Sequence, residues 1–310
     1  MKLNNPAYIG KTTSICGPME AKTKHAQNFD IIMDKSLHGE KCWDKAEEKM
    51  IKTCLDEYFK NNNADLIIAG DLINQNIATS NAVSNFDVPF LGTFSACASF
   101  VESIIIGSKL IDNYNSIICG ASSHFYTAEK QFRTPVEYGA QRKLTTQVTI
   151  TGSGFVELTN KKTDIAITDY EIGRVINSGV DDCCNMGAAM APAAEDTIRK
   201  AISSGNDYDV IITGDLGKLG STCLNELIKL DNHIDAGAVF FDETDYDVHQ
   251  GASGPACITL YFISEILPKL KSGEYKKVLL VATGCLMSQL TAVKKEEMLA
   301  VAHAITIEKI

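Results

Sequence analysis

Two stretches of this chain repeat each other, and the repeat constrains the fold more than any other feature. Ala64-Asp65-Leu66-Ile67-Ile68-Ala69-Gly70-Asp71-Leu72 is matched by Tyr208-Asp209-Val210-Ile211-Ile212-Thr213-Gly214-Asp215-Leu216. Each run is apolar at successive positions, as a strand buried on both faces in a parallel sheet must be. The segments downstream of the two runs also match in order. The small-residue loop Ser95-Ala96-Cys97-Ala98-Ser99 answers to Gly251-Ala252-Ser253-Gly254. An amphipathic helical pattern, a polar turn (112–115 and 271–274) and a second buried strand come next in both places. Repeats this long indicate duplicated domains rather than a solenoid. Strand–helix alternation within each copy gives an α/β unit. The expected division is an N-terminal half at 1–162 and a C-terminal half at 163–310.

Periodicity fills in the elements. Trp43, Ala46, Met50, Ile51, Leu55, Tyr58 and Phe59 recur at helical spacing between Cys42 and Asn61. Helices are also expected after Ser99, over 187–204, over 224–230 and over 256–270. Strands are expected at 12–16, 115–121, 145–151 (closing at Gly152-Ser153-Gly154), 165–168, 236–241, 277–284 and 300–307, and 131–142 reads as irregular. In a duplicated α/β pair the loops at the strand C-terminal ends converge, where α/β sites usually form. The Cys97 loop is then expected to face Val248-His249-Gln250-Gly251, with His124 and Cys285 beside it.

The formal charge of −10 argues against non-specific nucleic-acid binding, which draws on basic surface. No apolar h-region follows Met1, and no run approaches the length of a membrane helix. Ten scattered cysteines in such a chain fit free thiols in a reducing compartment. Adjacent Cys183 and Cys184 lack the two-plus-two spacing of a zinc site. Asp181, Asp182, Asp242, Glu243, Asp245 and Asp247 do not follow the calcium-loop pattern and read as solvated loops. No helix opens after Gly152-Ser153-Gly154, so it is not a dinucleotide fingerprint. Neither a metal nor a cofactor is expected.

Cys97 is the residue with the clearest chemical potential. It precedes an apolar helical run, where free N–H groups favour a thiolate. The alternative is a buried structural cysteine, a common fate for this residue type.

A duplicated α/β chain with Ser-Ala-Cys-Ala-Ser before a helix, and a His followed by Gly-Ala-Ser-Gly, resembles the thiolase and ketoacyl-synthase superfamily. The resemblance implies a five-layer α-β-α-β-α fold of two similar halves, a homodimer, and an acyl-transferring Cys assisted by His. A narrower resemblance covers nearly the whole chain. It rests on Gly39-Glu40-Lys41-Cys42-Trp43, on Gln131-Phe132-Arg133-Thr134-Pro135-Val136-Glu137-Tyr138-Gly139-Ala140-Gln141-Arg142, on Thr149-Ile150-Thr151-Gly152-Ser153-Gly154, on 185–194, and on Asp247-Val248-His249. These segments are similar to the stage V sporulation protein AD family. That resemblance implies a non-catalytic binder of dipicolinic acid (pyridine-2,6-dicarboxylate), alone or as its calcium chelate. It further implies a place among the other SpoVA proteins, peripheral on the spore inner membrane.

For such a dianion, Arg133 and Arg142 are the natural bidentate partners. Gln141 and Thr146 offer neutral donors, His124 and His249 offer imidazoles, and Cys97 becomes the wall of an inherited pocket. The competing account pairs the arginines with Glu129 and Glu137 in a surface loop and leaves the histidines satisfied at strand ends. The chain departs from the superfamily enzymes in its second half. Val248 stands where they carry the His, His249 lies one residue later, and Leu286-Met287-Ser288 replaces the glycine-rich tail of thiolases. An acyltransferase acting on coenzyme A or acyl-carrier-protein thioesters, with Cys97 as nucleophile, is the alternative function, and a scaffold with a vestigial pocket is a third.

Overall fold

The computed structural model describes residues 1–242 and 247–310, so two acidic positions that read as loop, Glu243 and Asp245, lie outside the described residues. Ten strands form one continuous path: β1 (Lys2–Cys16), β2 (Leu66–Gly70), β3 (Phe90–Gly92), β4 (Ser116–Ser123), β5 (Gly152–Thr159), β6 (Ile165–Ile172), β7 (Val210–Thr213), β8 (His233–Asp235), β9 (Lys277–Leu286) and β10 (Leu299–Lys309). Their spatial order is β8-β7-β9-β10-β6-β1-β5-β4-β2-β3. Outward from the middle, one side reads β1-β5-β4-β2-β3 and the other β6-β10-β9-β7-β8. Pairing senses repeat as well. On each side the first two pairings are antiparallel and the last two parallel. The sides meet where β1 runs antiparallel to β6, with Ala7 opposite Ile167 and Tyr8 opposite Ala166.

Side-chain alternation explains the layers. Successive strand residues face opposite sides of a sheet. Leu66 and Ile68 of β2, Ile117 and Cys119 of β4, Val210 and Ile212 of β7, and Val278, Leu280 and Ala282 of β9 all enter one central core. That core also holds Phe100, Val101 and Ile104 of the helix Ser99–Leu110, and Ile258 and Leu260 of the helix Pro255–Tyr261. Ile67 and Ala69 point the other way, onto Met50, Ile51 and Leu55 of the helix Trp43–Phe59. On the far side Ile211, Leu279 and Val281 meet Ala189, Met190, Ala194 and Ile198 of the helix Met186–Ser203. The result is five layers, helix–sheet–helix–sheet–helix, in a thiolase-like α/β fold. Among the described residues no helix is long and apolar enough to cross a membrane.

Several expected elements differ. Of 145–151 only Val148–Thr149 is a strand, paired in parallel with Ala252–Ser253. Gly152-Ser153-Gly154 does not close a strand; it opens β5. A Cβ on Gly152 would lie 2.5 Å from Leu260 Cδ1 and 2.9 Å from the Ile15 carbonyl oxygen. The glycines are there because the Pro255–Tyr261 helix lies against the strand, not to break it. Residues 236–239 are helical rather than extended, because Asp235 caps that turn by accepting the Ala238 N–H. The segment read as irregular begins inside the helix Phe125–Phe132.

Gly152→Ala forces a methyl into that contact, and overpacking of this kind costs about 1–3 kcal/mol. The urea midpoint is expected to fall accordingly with an unchanged slope, and an unchanged midpoint would contradict the close-packing account of this glycine.

Candidate functional site

The strand C-terminal ends converge on a cavity of about 490 Å³. One wall is the loop after β2, from Asp71 to Asn76; another is Phe94 to Cys97; the third is Cys285 to Ser288, with Arg133 across from them. The backbone here is unusual. Gln75, Asn76 and Ala96 all line the cavity at positive φ (62°, 48° and 50°), a region costly for residues with a Cβ. Asn76 is held there by its own side chain, which donates to the Thr93 carbonyl and accepts from the Asp71 N–H. The Cys97 turn is pressed against the strand β9. A Cβ on Gly284 would fall 2.2 Å from the Ser95 carbonyl oxygen.

Cys97 is 6% exposed. Burial, and then the neighbouring Asp215, push its thiol well above the ordinary cysteine range. Asp215 is itself fully enclosed, and burial raises its pKa to about 7. Its Oδ1 accepts the Thr283 hydroxyl at 2.5 Å, while Oδ2 has no donor among the described residues. Cys285 shares the cavity, and burial pushes it up to about 12. No histidine lines this cavity among the described residues. A nucleophilic cysteine needs a base or a cation to favour the thiolate. Here a carboxylate and burial favour the neutral thiol.

A second cavity, of about 710 Å³, contains most of the other expected residues: Arg133, Gln141, Arg142, Thr146 and His249. Arg133 belongs to both cavities. It pairs with Glu129 at 2.5 Å, and both side chains are buried. Arg142 donates to the carbonyls of Asp247 (2.6 Å) and Gln147 (2.9 Å) and lies over the Phe125 ring at 5.6 Å. The Asp247 carboxylate approaches Arg142 only to 4.0 Å. Burial shifts the Arg142 pKa downward. The Nε–H groups of both arginines are buried without an acceptor among the described residues. The competing account holds in part: Arg133 does pair with Glu129, though the pair is buried rather than on a surface loop, while Glu137 accepts the Trp43 indole N–H instead of pairing with Arg142. His249, at φ 45°, pairs with Asp247 at 2.6 Å. Thr146 donates to the Lys143 carbonyl, and Gln141 is exposed at the rim.

The expected convergence of two cysteines and two histidines is corrected on both histidines. His249 lines the arginine cavity and not that of Cys97. His124 lines neither. Its ring is fully buried beside Trp43 and Tyr126, Nε2 meets the Ser36 carbonyl at 2.9 Å, and burial lowers its pKa to about 4, so it is neutral. Asp71 and Asp215 are site residues that the sequence motifs do not single out. A signal for them exists, since the two aspartates end the two matched strands at equivalent places.

The chain is similar to known proteins over almost its whole length. The family model described as stage V sporulation protein AD matches residues 1–308. Stage V sporulation protein AD of Bacillus subtilis (strain 168) is 34% identical over 322 residues, covering 98% of this chain and 95% of its own. Among solved structures, 3-oxoacyl-[acyl-carrier-protein] synthase III from Aquifex aeolicus VF5 superposes with a TM-score of 0.55 at 13% identity, over 97% of this chain and 99% of that one. A tetronic acid condensing enzyme, AbyA1, gives 0.60 at 12% identity, over 97% and 99%. The identities to the two enzymes are low, so these likenesses speak to fold alone.

The raised Asp215 pKa has a consequence for stability. Unfolded, an aspartate ionises near pH ~3.9; folded, Asp215 holds its proton to about 7. Its contribution is fully present below the unfolded value and is lost as pH rises through about 7. Buried histidines with lowered pKa, such as His124 and His233, oppose this trend in the whole protein. The clean readout is thus a difference. The unfolding free energy of Asp215→Asn relative to wild type is expected to climb as pH rises from ~4 to about 7 and then to level off, by about 1.4 kcal/mol per pH unit at most. A flat difference would mean that Asp215 is not held protonated.

Proposed function

The chain belongs to the stage V sporulation protein AD family, and on that premise we propose that it binds dipicolinate without transforming it. It does so as part of the SpoVA assembly that moves this dianion during spore formation and germination. The observation that carries the reading is the pair Arg133 and Arg142 on one cleft, each with a buried Nε–H that has no acceptor among the described residues. Buried donors of this kind are costly to leave unpaired, and ionised acceptors are their strongest partners. Pyridine-2,6-dicarboxylate offers one carboxylate to each guanidinium. Phe125, already beneath Arg142, supplies an apolar face for the flat ring. His249 and Gln141 border the opening.

Cys97 is outside this cleft, and its own surroundings oppose the acyltransferase alternative. Its thiol is held neutral, and the imidazoles point elsewhere. The membrane attachment goes through other SpoVA proteins, and the protein acts as a homodimer.

Isothermal titration with sodium dipicolinate, with and without calcium, tests the reading. Wild type is expected to bind. Arg142→Ala is expected to bind roughly tenfold more weakly or worse, since hydrogen bonds to charged groups contribute about 1.5–3 kcal/mol. Cys97→Ser is expected to bind like wild type. Absence of binding by wild type, or an Arg142→Ala variant with full affinity, would sink the proposal. Acetyl-coenzyme A that leaves an acetyl mass on Cys97 would sink its non-catalytic part.

A further inference from the structure

We propose that Asp182, Cys183 and Cys184 form a binding site for a thiophilic divalent cation, with Zn²⁺ as the biological class. One carboxylate oxygen and both sulfur atoms lie within 4.8 Å of one another, and all three residues are half-buried. The spacing in the sequence argues against a metal, because adjacent cysteines do not make a two-plus-two site. The turn removes that objection. Asp182 accepts the Cys184 N–H at 3.0 Å, and the Asn185 N–H returns to the Asp182 carbonyl at 2.7 Å. This folds the carboxylate back over the two thiols just before the helix Met186–Ser203.

The donor set selects the cation. Calcium and magnesium take six or more oxygen ligands, and one carboxylate cannot supply them. Two thiolates and a carboxylate suit zinc, which sits tetrahedrally with Zn–S near ~2.3 Å. On such a tetrahedron the ligand atoms are roughly 3.5–4 Å apart, so the three groups need only a small contraction. Three protein ligands leave a fourth position open, and half-burial leaves a path from solvent. Binding displaces the thiol protons to solvent. The bound site carries one net negative charge, from three anionic ligands and a divalent cation. Lys143, which bonds both oxygens of Asp182 at 3.1 Å, stands where it compensates that charge and orients the carboxylate. Cys184 also lines the arginine cleft, so the titration below is run without dipicolinate and its outcome does not depend on the ligand proposed for that cleft.

The test uses the full chain, reduced with a phosphine, stripped of metal and with its free thiols counted beforehand. Cd²⁺ is titrated as the spectroscopic probe, followed by displacement with Zn²⁺. The expected result is a sulfur-to-cadmium charge-transfer absorbance that saturates at one equivalent and is reversed by Zn²⁺. It is lost in Cys183→Ser/Cys184→Ser and weakened roughly tenfold in Asp182→Asn, while Cys97→Ser leaves it unchanged. Circular dichroism checks that the variants fold. If the double variant does not, Cys184→Ser and Asp182→Asn decide. The proposal is overturned if fully reduced wild type gives no such absorbance, if the cysteine variants retain it, or if Cys97→Ser abolishes it.

Discussion

Burial of both sheet faces organises this molecule. Each half-sheet must hide two apolar surfaces, and a strand can present them only by alternation. Ile67 and Ala69 therefore have to find the outer helix Trp43–Phe59, while Leu66 and Ile68 have to find the middle one. The same requirement on the other side recruits the helix Met186–Ser203 for Ile211, Leu279 and Val281. The middle layer is the shared solution. The helices Ser99–Leu110 and Pro255–Tyr261 serve two sheets at once, and their close approach excludes side chains at Gly152, where Leu260 and the Ile15 carbonyl already occupy the space.

The cavities arise from that arrangement. The middle helices start where the parallel strands end, so the loops feeding them crowd together at one edge. Crowding comes with backbone strain, at Gln75, Asn76 and Ala96, and with buried acids. Asp71 and Asp215 occupy equivalent strand ends yet have diverged. Asp71 has both oxygens filled, by the Ile73 N–H and by the N–H and hydroxyl of Thr79. Asp215 keeps one oxygen without a donor among the described residues and faces Cys97. One half uses the aspartate to pin a loop, and the other uses it to hold a thiol neutral.

The duplication is legible because apolar runs and small-residue loops are local patterns that survive in a single sequence. The five layers are expected only from the resemblance to the thiolase superfamily, and the strand order is a finding of the structure. Local patterns fail where a distant contact decides. Gly152 and Gly154 read as a break because sequence does not show the helix that packs on them. Ala236–Val239 is apolar and short, which suits a strand, but the Asp235 cap settles it as a helix turn. The site is legible as a set of residues and not as a place. Arg133, Arg142, Thr146 and His249 do share a cavity, yet nothing in their spacing distinguishes that cavity from the one beside Cys97.

The adjacent residues Val248 and His249 serve different places. Val248 is buried in the central core, and His249, at positive φ, pairs with Asp247 on the arginine cleft. No imidazole lines the Cys97 cavity among the described residues, and the neighbouring cleft has a polar edge. Arg133 stands between the two cavities, neutralised by Glu129 on one hydrogen-bonding edge and with its Nε–H unspent. The layers, and the glycines that let helices approach the sheets, set where both cavities lie, and the second-half loop sets which of them receives the imidazole.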